Sequence, residues 1–513
     1  MDRRAAASRP FSCPAVWGGF RGRPVGVEAY PAPSGEGWGQ RPCARVRALT
    51  PDPSRKREGR LLLRRAPRND DSLSCHHALT RWAEGAGMRV MILGAAGFIG
   101  RHILTALRDA GHEAVAVVRR VGHLEAAFPG VRFVAVDLAG ATDAAAWRTH
   151  LDGVACIVNA AGVLRGPDME AVHVAMPRAL YAAAREAGVA RVVLLSAISA
   201  REEVGTDYAR AKLAGEAVLR ASGLGWTILR PSLVYGDGSY GGTSLLRGMA
   251  GLPLAVPLPG AGDQRFTPIH VDDLARDVAR LCADDRFAGR TLEPVGPETI
   301  DLRGLLRAYR GWLGFGAARF VSIPMPVMRL LGRIGDLAGD GPIASNSLAQ
   351  LVAGNAGDSA AYARETGSAP RRLNDALAAR PAEVQDRWHA RLFFLAPAIR
   401  AILALLWLAS AWLGLTHGGE AARALAASLG LPAGLADPLR IGASLADIAV
   451  AALVLLDRKA RWSTVVQIGL ILGYTIVIGL ALPRLWLDPL GPLLKNLPIL
   501  LLVAVHGAIG DKR

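Results

Sequence analysis

Short apolar runs alternate with helical stretches over residues 88–232, and this alternation constrains the fold more than any other feature of the sequence. The runs are rich in Val, Ile and Leu, which is typical of strands that are buried on both faces of a parallel sheet. Because helices separate the strands, we predict a doubly wound α/β domain. The six predicted strands are residues 89–94, 113–119, 132–137, 156–162, 191–197 and 226–232.

The segments on either side of this domain differ from it in pattern. After Ser232, loops rich in Pro and Gly lead to a helix at 271–283 and to further helical stretches. We assign residues 233–391 to a small substrate lobe and linker, interleaved with the sheet domain of 88–232. Residues 1–87 contain no periodic apolar pattern and no signal-peptide core, so we expect a disordered leader or a true translation start at Met88.

Four apolar stretches follow, at residues 392–415, 441–456, 463–482 and 490–509. Three of them have 20 residues or more, enough to cross ~30 Å of hydrocarbon, and the second is borderline at 16. We predict a four-helix transmembrane domain over 392–513, with buried soluble helices as the alternative. Lys and Arg are concentrated at one side of these helices, which predicts a multi-pass inner-membrane protein whose α/β domain faces the cytoplasm.

Ionisable side chains occur inside these apolar stretches. Arg400, Asp447 and Lys495 are expected at similar depths. Because unpaired charges in hydrocarbon are costly, we expect an ion pair that joins two helices, and a quinone or proton site is the alternative.

Composition excludes two classes of site. The net charge is +16, but half of it lies in residues 1–87 and no stretch alternates basic with aromatic residues, so we expect no nucleic-acid binding. The five cysteines are widely spaced and form no CxxC pair, so we predict neither a disulfide framework nor a metal site.

A glycine-rich turn connects the first predicted strand to the first helix. Glycines in such a turn let the backbone approach a pyrophosphate closely, and the helix N-terminus favours the phosphate charge. We therefore predict a dinucleotide-binding loop. It consists of Gly94, Ala96, Gly97, Phe98, Ile99 and Gly100.

The end of the second strand bears on the choice between NAD and NADP. An acidic residue there would bind the adenosine ribose of NAD, but this chain has Arg119 instead. Arg119 is placed to meet a 2′-phosphate, so we favour NADP over NAD; a surface arginine is the alternative. Asp137, which closes the third strand, is placed to accept from the adenine amino group or to cap a turn.

Tyr208 and Lys212 lie four residues apart, on one face of a predicted helix. A tyrosine has an ordinary pKa of ~10, and a neighbouring ammonium lowers it and can also hold a ribose. We predict an acid/base pair, with an ordinary surface pair as the alternative. Ser196, at the carboxyl end of the fifth strand, is the candidate for polarising a substrate carbonyl, and Ser199 is its competitor.

Together these motifs resemble the short-chain dehydrogenase/reductase superfamily over residues 88–391. The resemblance extends to GWTILRPSLVYG (225–236) and RFTPIHVDDLA (265–275), and it is closest to the extended and atypical branches. These branches include epimerases, dehydratases and relatives of the 39-kilodalton subunit of respiratory complex I. The resemblance implies a Rossmann fold, with Tyr208 as the acid/base, Lys212 as the ribose anchor and Ser196 as the substrate polariser.

The same resemblance implies further residues near the cofactor. A strand-four segment would line it, and two residues after strand six would lie beside the nicotinamide, whereas the His270, Asp272 and Asp273 motif would be structural. The segment is Asn159, Ala160, Ala161 and Gly162, and the two later residues are Pro231 and Ser232.

The C-terminal stretches RAILALLWLASAWLGL (400–415) and DPLGPLLKNLPILLL (488–502) resemble the DoxX-like membrane family. That resemblance implies a location in the membrane and no particular reaction.

The sequence as a whole predicts a membrane-tethered NAD(P)-dependent oxidoreductase. A hydride would pass between the nicotinamide and a carbonyl or alcohol carbon, while Tyr208 transfers the proton. Three alternatives stay open: an epimerase or dehydratase, a non-catalytic NAD(P)H-holding subunit of a membrane complex, and an NAD(P)H:quinone oxidoreductase. The sequence does not identify the substrate, and the membrane anchor alone suggests a lipophilic one.

Overall fold

A seven-stranded parallel sheet forms the centre of the first domain. The computed structural model describes residues 87–337 and 345–510, so the predicted leader lies outside the described residues except for Gly87. The strand order is β11-β6-β5-β4-β1-β2-β3, and every neighbouring pair is parallel. The strands are β1 (Arg89–Leu93), β2 (Glu113–Val118), β3 (Arg132–Ala135), β4 (Cys156–Asn159), β5 (Arg191–Leu195), β6 (Gly225–Leu229) and β11 (Arg290–Leu292).

The structure confirms the doubly wound parallel sheet and its six predicted strands. The seventh strand, β11, was not predicted, because it contributes three residues of which only Leu292 is buried. It comes from the segment assigned to the substrate lobe and pairs with β6 at the edge of the sheet. The chain therefore leaves the sheet after β6 and later returns to add β11 at its edge.

Helices cover both faces of the sheet, and each face has its own core. Ile103 and Leu107 belong to one core together with Val278, and Leu180 and Leu219 belong to the other. The first layer is α1 (Phe98–Asp109) and α7 (Val271–Ala283), and the second includes α4 (Met176–Glu186) and α5 (Asp207–Arg220). The short helices α2 (Leu124–Ala127) and α3 (Ala145–Arg148) lie in the connections.

The order of the strands reverses between β1 and β4, which are neighbours in the sheet although β2 and β3 separate them in sequence. Loops that leave the carboxyl ends of such strands diverge and form a crevice where ligands bind. Leu93 and Asn159 are aligned at this point.

A third core lies in the segment after β6. Tyr235, Phe266 and Leu306 are fully buried there. Its strands form the pairs β7 (Val234–Tyr235) with β10 (Ile269–His270), β9 (Arg265–Phe266) with β12 (Ile300–Asp301), and β8 (Ala255–Pro259) with β13 (Arg319–Ile323). Its helices are α6 (Gly242–Ala250), α8 (Leu302–Trp312), α9 (Met325–Leu337), α10 (Ser345–Ala353), α11 (Ser359–Thr366) and α12 (Leu373–Ala379).

Apolar helices make up the C-terminal part. These are α13 (Val384–His417), α14 (Gly419–Ser428), α15 (Ala436–Leu456), α16 (Arg461–Ala481) and α17 (Asn496–Ile509). Three helical stretches, Val384–His417, Ala433–Leu456 and Arg461–Ala481, are long and apolar enough to cross a membrane.

Three of the predicted apolar stretches differ clearly in length from the helices that they form. The stretch at 392–415 lies inside a helix of 34 residues, α13. The stretch at 441–456 extends N-terminally into a helix of 21 residues. The stretch at 490–509 forms a helix of only 14 residues, α17. Pro492 lacks the amide hydrogen that a helix interior needs, and Gly491 adopts a left-handed φ of +56°, so the helix begins after them.

Helix α13 runs from the third core into the apolar bundle without a break. Its first turns pack on α6, where Cβ atoms built on Gly248 and Gly251 would lie 2.5 Å from Phe393 and 2.9 Å from Ala390. Asp386, in the first turn, accepts from Arg380 at 3.0 Å. One helix therefore joins the α/β part to the apolar helices.

Candidate functional site

The glycine loop forms a cradle at the carboxyl end of β1. Gly94 has a φ of +74°, and a Cβ built on it would lie 2.9 Å from the carbonyl oxygen of Ala160. A Cβ on Gly100 would collide with the backbone of Gly94. Gly97 is the N-cap of α1, and no side chain accepts a hydrogen bond from the first amides of this helix. These amides therefore remain available at the crevice. This arrangement fits a pyrophosphate.

An aromatic residue that the sequence analysis missed lies across this loop. Tyr240 is 57% exposed, yet its ring centroid is 6.4 Å from that of the buried Phe98. A Cβ on Gly97 would lie 3.8 Å from the Tyr240 hydroxyl. Ala96 and Ile99 are half-buried beside Phe98. The only sequence signal for Tyr240 is its position in the glycine-rich segment 236–242.

The two residues predicted at the adenosine end come together. Arg119 follows β2 and is 74% exposed, and Asp137 follows β3. The Arg119 Nε atom is 3.9 Å from the Asp137 Oδ1 atom. Exposed pairs of this kind contribute little to stability, so the arginine can turn toward a ligand.

Tyr208 and Lys212 lie on α5 at the carboxyl ends of β4 and β5. The Lys212 Nζ atom donates to the carbonyl oxygen of Leu195 at 2.9 Å and lies 5.8 Å from the Tyr208 ring centroid. A Cβ built on Gly162 would be 3.4 Å from the same ammonium. The structure thus brings the predicted acid/base pair and the strand-four segment together.

The protonation of this pair differs from the prediction. Burial raises the pKa of Tyr208 to about 12, whereas we expected Lys212 to lower it. Burial also lowers the pKa of Lys212 to about 8, and the nearby Glu216 carboxylate opposes that shift. Desolvation is therefore the largest effect on the pKa of both groups.

His173 is a second residue that the sequence analysis missed. It is buried in a π-helical turn, Ala171–Ala175, and its Nε2 atom is 2.9 Å from the Val163 carbonyl oxygen. Its ring centroid is 6.0 Å from that of Tyr208. Burial and the Lys212 charge lower the pKa of His173 to about 4, so the imidazole is neutral. Single π-turns are frequent at functional sites, but their position cannot be read from sequence.

Ser196 is engaged with a carboxylate. Its hydroxyl donates to the Glu216 Oε1 atom at 2.6 Å, and Glu216 is fully buried on α5. Glu216 also accepts two hydrogen bonds from Arg230, at 2.8 and 2.7 Å, and one from Arg220 at 3.0 Å. Burial would raise the pKa of this carboxyl, but the hydrogen bonds from Arg230 and Ser196 outweigh it and lower the pKa. The substrate-polarising role of Ser196 stays a prediction, as does that of the buried Ser199.

The remaining predicted cofactor residues have structural partners. The Asn159 side chain donates to the Tyr181 hydroxyl at 3.1 Å and accepts from the amide of Ala161 at 3.2 Å, which shapes the strand-four segment. The Pro231 carbonyl accepts from Ile198, and the Ser232 hydroxyl donates to the carbonyl of Asn355. Their contacts with a nicotinamide stay a prediction.

The loop–helix motif at the start of α7 makes structural contacts. His270 is the N-cap, and its side chain accepts from the amide of Asp272 at 3.2 Å. Asp273 is buried and accepts from the Arg371 amide at 2.9 Å. Among the residues that the structure describes, no three His, Cys, Asp or Glu side chains are grouped to hold a metal.

Two family models match separate segments of the chain. Residues 94–249 match the NAD(P)H-binding family, and residues 404–504 match the DoxX-like family. The chain joins an NAD(P)H-binding domain to a DoxX-like domain. The glycine loop, Tyr208 and Lys212 lie within the first match.

Relatives with similar sequences match about half of the chain. Ceramide reductase of Caulobacter vibrioides (strain NA1000 / CB15N) is 29% identical over 254 residues, which cover 48% of this chain and 77% of that protein. Mitochondrial NADH dehydrogenase (ubiquinone) 1 alpha subcomplex subunit 9 of Mus musculus is 26% identical over 281 residues, which cover 52% and 72%. The NADPH-dependent quinone oxidoreductase of Escherichia coli, solved with NADPH, has a TM-score of 0.46 at 20% identity and covers 56% of this chain and 99% of its own.

In the DoxX-like domain the expected ion pair does not form. Asp447 is buried, and one of its oxygens accepts from the Ser410 hydroxyl at 2.7 Å. Arg400 donates to the carbonyl oxygen of Asp457, and Lys495 is exposed. Arg400 lies ten residues, about 15 Å, before Ser410 along α13, so the residue of α13 that lies beside Asp447 is Ser410.

Proposed function

We propose that the protein is a membrane-tethered NAD(P)-dependent oxidoreductase of the short-chain dehydrogenase/reductase type. The observation that carries the proposal is the convergence of the glycine cradle, Tyr208 and Lys212 at the carboxyl ends of neighbouring strands, with the Lys212 ammonium 2.9 Å from the Leu195 carbonyl oxygen. The NAD(P)H-binding family match and the reductase name of the Caulobacter relative support it.

The residues of the site suit reduction of a carbonyl compound. When bound, the nicotinamide supplies the hydride that adds to the carbonyl carbon. Tyr208 gives its proton to the carbonyl oxygen, and its pKa of about 12 keeps the hydroxyl protonated at neutral pH. Lys212 holds the nicotinamide ribose, and Gly94, Gly97 and Gly100 admit the pyrophosphate to the backbone of the loop.

NADP is the preferred cofactor in this proposal. Arg119 is exposed beside the adenosine end of the crevice, where its guanidinium can bind a 2′-phosphate. Asp137 accepts from the adenine amino group after its 3.9 Å contact with Arg119 opens.

The proposed domain boundaries follow the sequence. Residues 88–232 form the cofactor-binding domain, 233–391 the interleaved substrate lobe and linker, and 392–513 the membrane domain. The excess of Lys and Arg at one side of the apolar helices supports an inner-membrane location with the catalytic domain in the cytoplasm.

One observation favours a second candidate, a nucleotide-holding subunit of a membrane complex. The Ser196 hydroxyl is occupied by Glu216, which leaves the predicted substrate polariser engaged elsewhere. The mouse relative is named as a subunit of NADH dehydrogenase. The quinone alternative loses its motivating feature, because Arg400 and Asp447 bind different partners.

The experiment that tests the proposal measures NADPH and NADH binding to the full chain in detergent, followed by NADPH oxidation with a panel of aldehydes and ketones. We expect Tyr208→Phe to keep the Kd of NADPH within about twofold and to abolish turnover, because the phenyl ring retains the packing and loses the proton. Binding without turnover of any carbonyl compound would favour the nucleotide-holding subunit. Failure of both cofactors to bind would overturn both candidates.

A further inference from the structure

Exposed apolar side chains surround the entrance of the candidate site. Leu164 follows β4, and its Cδ1 atom would lie 3.9 Å from a Cβ built on Gly241, next to the exposed Tyr240. Four further apolar side chains are exposed on α9, among them Leu330 at 57%. We call this set the apolar rim. It consists of Leu164, Tyr240, Val327, Leu330, Leu331 and Ile334.

The α9 residues of the apolar rim form one stripe that points away from the protein. Val327, Leu330, Leu331 and Ile334 have the spacing i, i+3, i+4, i+7, which places them on one side of a helix. The helix packs through a different side, where a Cβ on Gly332 would lie 3.2 Å from the Ser345 hydroxyl of α10. The stripe is therefore not used in packing α9 onto its neighbour.

One contact and one electrostatic interaction place α9 and α10 near the site. Asp336, near the end of α9, interacts electrostatically with Arg165, which follows Leu164 directly. Helix α10 contacts the short turn Glu202–Val204, which precedes Tyr208 on α5. Helix α10 thus reaches the turn that precedes Tyr208, and the end of α9 lies within electrostatic range of the loop that carries Leu164.

The apolar surface is local to this region. Three more exposed large apolar side chains are described between residues 87 and 383. Val321 and Val352 lie on β13 and α10 beside α9, and Leu254 precedes β8, at the end of the parallel β8–β13 pair that is opposite to α9. Contiguous apolar side chains that face water are costly and mark a binding surface. The occupant of this one must be apolar and must reach Tyr208.

We propose that the apolar rim holds the hydrocarbon chain of a lipid substrate whose carbonyl group reaches Tyr208. Two observations select this occupant. Leu164 and Tyr240 of the rim lie at the glycine loop, and α13 connects the part of the chain that carries the rim to the apolar helices. The chemistry rests on the function proposed above. Hydride adds to the carbonyl carbon as the C–O π bond breaks, Tyr208 protonates the oxygen to give an alcohol, NADPH is oxidised, and water returns the proton to Tyr208.

A matched pair of substitutions tests this proposal in the full chain in lipid nanodiscs. Leu330→Asn changes the rim, and Leu254→Asn changes an apolar side chain that is 85% exposed at the opposite end of the β8–β13 pair from α9. For Leu330→Asn we expect kcat/KM for hexadecanal to fall about tenfold, because the burial of each methylene strengthens binding by about a factor of four. Butanal, which is too short to reach α9, should be reduced by Leu330→Asn at the wild-type rate. Leu254→Asn should change kcat/KM for neither aldehyde.

Equal losses for both aldehydes in Leu330→Asn, or the same chain-length effect in Leu254→Asn, would overturn the proposal. A second readout separates it from the proposed reaction. A hexadecanol that carries a diazirine at mid-chain should label peptides that contain Leu164, Tyr240 or α9. Labelling of α9 without turnover of any aldehyde would support the lipid site and overturn the reductase.

Two labelling results would assign the rim to another occupant and overturn the proposal. The first is equal labelling of α9 by a diazirine phosphatidylcholine, which would mean that the stripe lies in the bilayer. The second is crosslinking of α9 to a second copy of the chain. Turnover of butanal without any labelling of the rim would leave the reductase standing and overturn the lipid site.

Discussion

Ser196 donates its hydroxyl hydrogen to Glu216 at 2.6 Å, and this bond ties the end of β5 to the helix that carries Tyr208 and Lys212. Arg230, directly after β6, binds the same carboxylate through two nitrogens. Glu216 therefore joins two strands and one helix beneath the acid/base pair. Its role is to position these elements, because its carboxylate is fully buried among them.

We expect Glu216→Gln to destabilise the protein by about 2 kcal/mol, because it leaves the Arg230 guanidinium without its charged partner. The control is Ser196→Ala, which removes one hydrogen bond and leaves both arginines paired, and it should cost about 1 kcal/mol. The measurement is the midpoint of thermal unfolding of the detergent-solubilised protein. A smaller loss for Glu216→Gln than for Ser196→Ala would contradict this role.

The fold could be predicted from the sequence where burial alone decides the pattern. The runs at β1 and β5 are apolar after their first residues, Arg89 and Arg191, since both faces of the sheet are covered, and the structure confirms them. Strand β11 could not be predicted, because three residues at the edge of a sheet leave no such run. The start of α17 was set by Gly491 and Pro492, which we included in the apolar stretch because of its overall hydropathy.

The site was predictable where its residues are close in sequence. The four-residue spacing of Tyr208 and Lys212 brings them to one face of α5, as the structure shows. The bond from Ser196 to Glu216 depends on how β5 packs against α5, which no local pattern encodes. Counting depth along α13 failed for Arg400 for the same reason, because neighbouring helices are also free to slide and rotate.

Substitution of the N-cap glycine tests the pyrophosphate cradle. A Cβ on Gly97 would lie 3.1 Å from the Gly94 carbonyl oxygen, so Gly97→Ala requires that carbonyl to move by a few tenths of an ångström and also narrows the approach to the loop. We expect the Kd of NADPH to rise at least about tenfold, because the pyrophosphate must contact the backbone here. The control is Gly311→Ala, since a Cβ on Gly311 meets nothing within 4 Å. Unchanged NADPH binding in Gly97→Ala would place the cofactor elsewhere.

Two adjacent arginines test the choice of cofactor. Arg119→Ala should raise the Kd of NADPH about tenfold or more and leave the Kd of NADH unchanged, because the substitution removes charge-assisted hydrogen bonds to a 2′-phosphate that only NADPH carries. Arg120→Ala is the matched control, since Arg120 is also exposed and carries the same charge. Isothermal titration calorimetry of both cofactors with both variants gives the four Kd values. Equal weakening of NADPH by the two substitutions would indicate only a general effect of positive charge.

The pH dependence of stability tests the burial of Lys212. Its pKa is about 8 in the folded protein, below the ordinary 10.5 that we assign to the unfolded chain. Between pH 8 and 10.5 the unfolded chain therefore binds more protons at this site, so this lysine makes stability rise with pH across that range and leaves it unchanged below pH 8.

Lys212→Met keeps the length of the side chain and removes the titration. We expect the unfolding midpoint of the wild type to rise relative to that of Lys212→Met as pH increases from 8 to 10. Thermal unfolding of both proteins at a series of pH values provides the comparison. Parallel curves would show that the ammonium is as well solvated in the folded protein as in the unfolded chain, and the buried ribose anchor would then lose its physical basis.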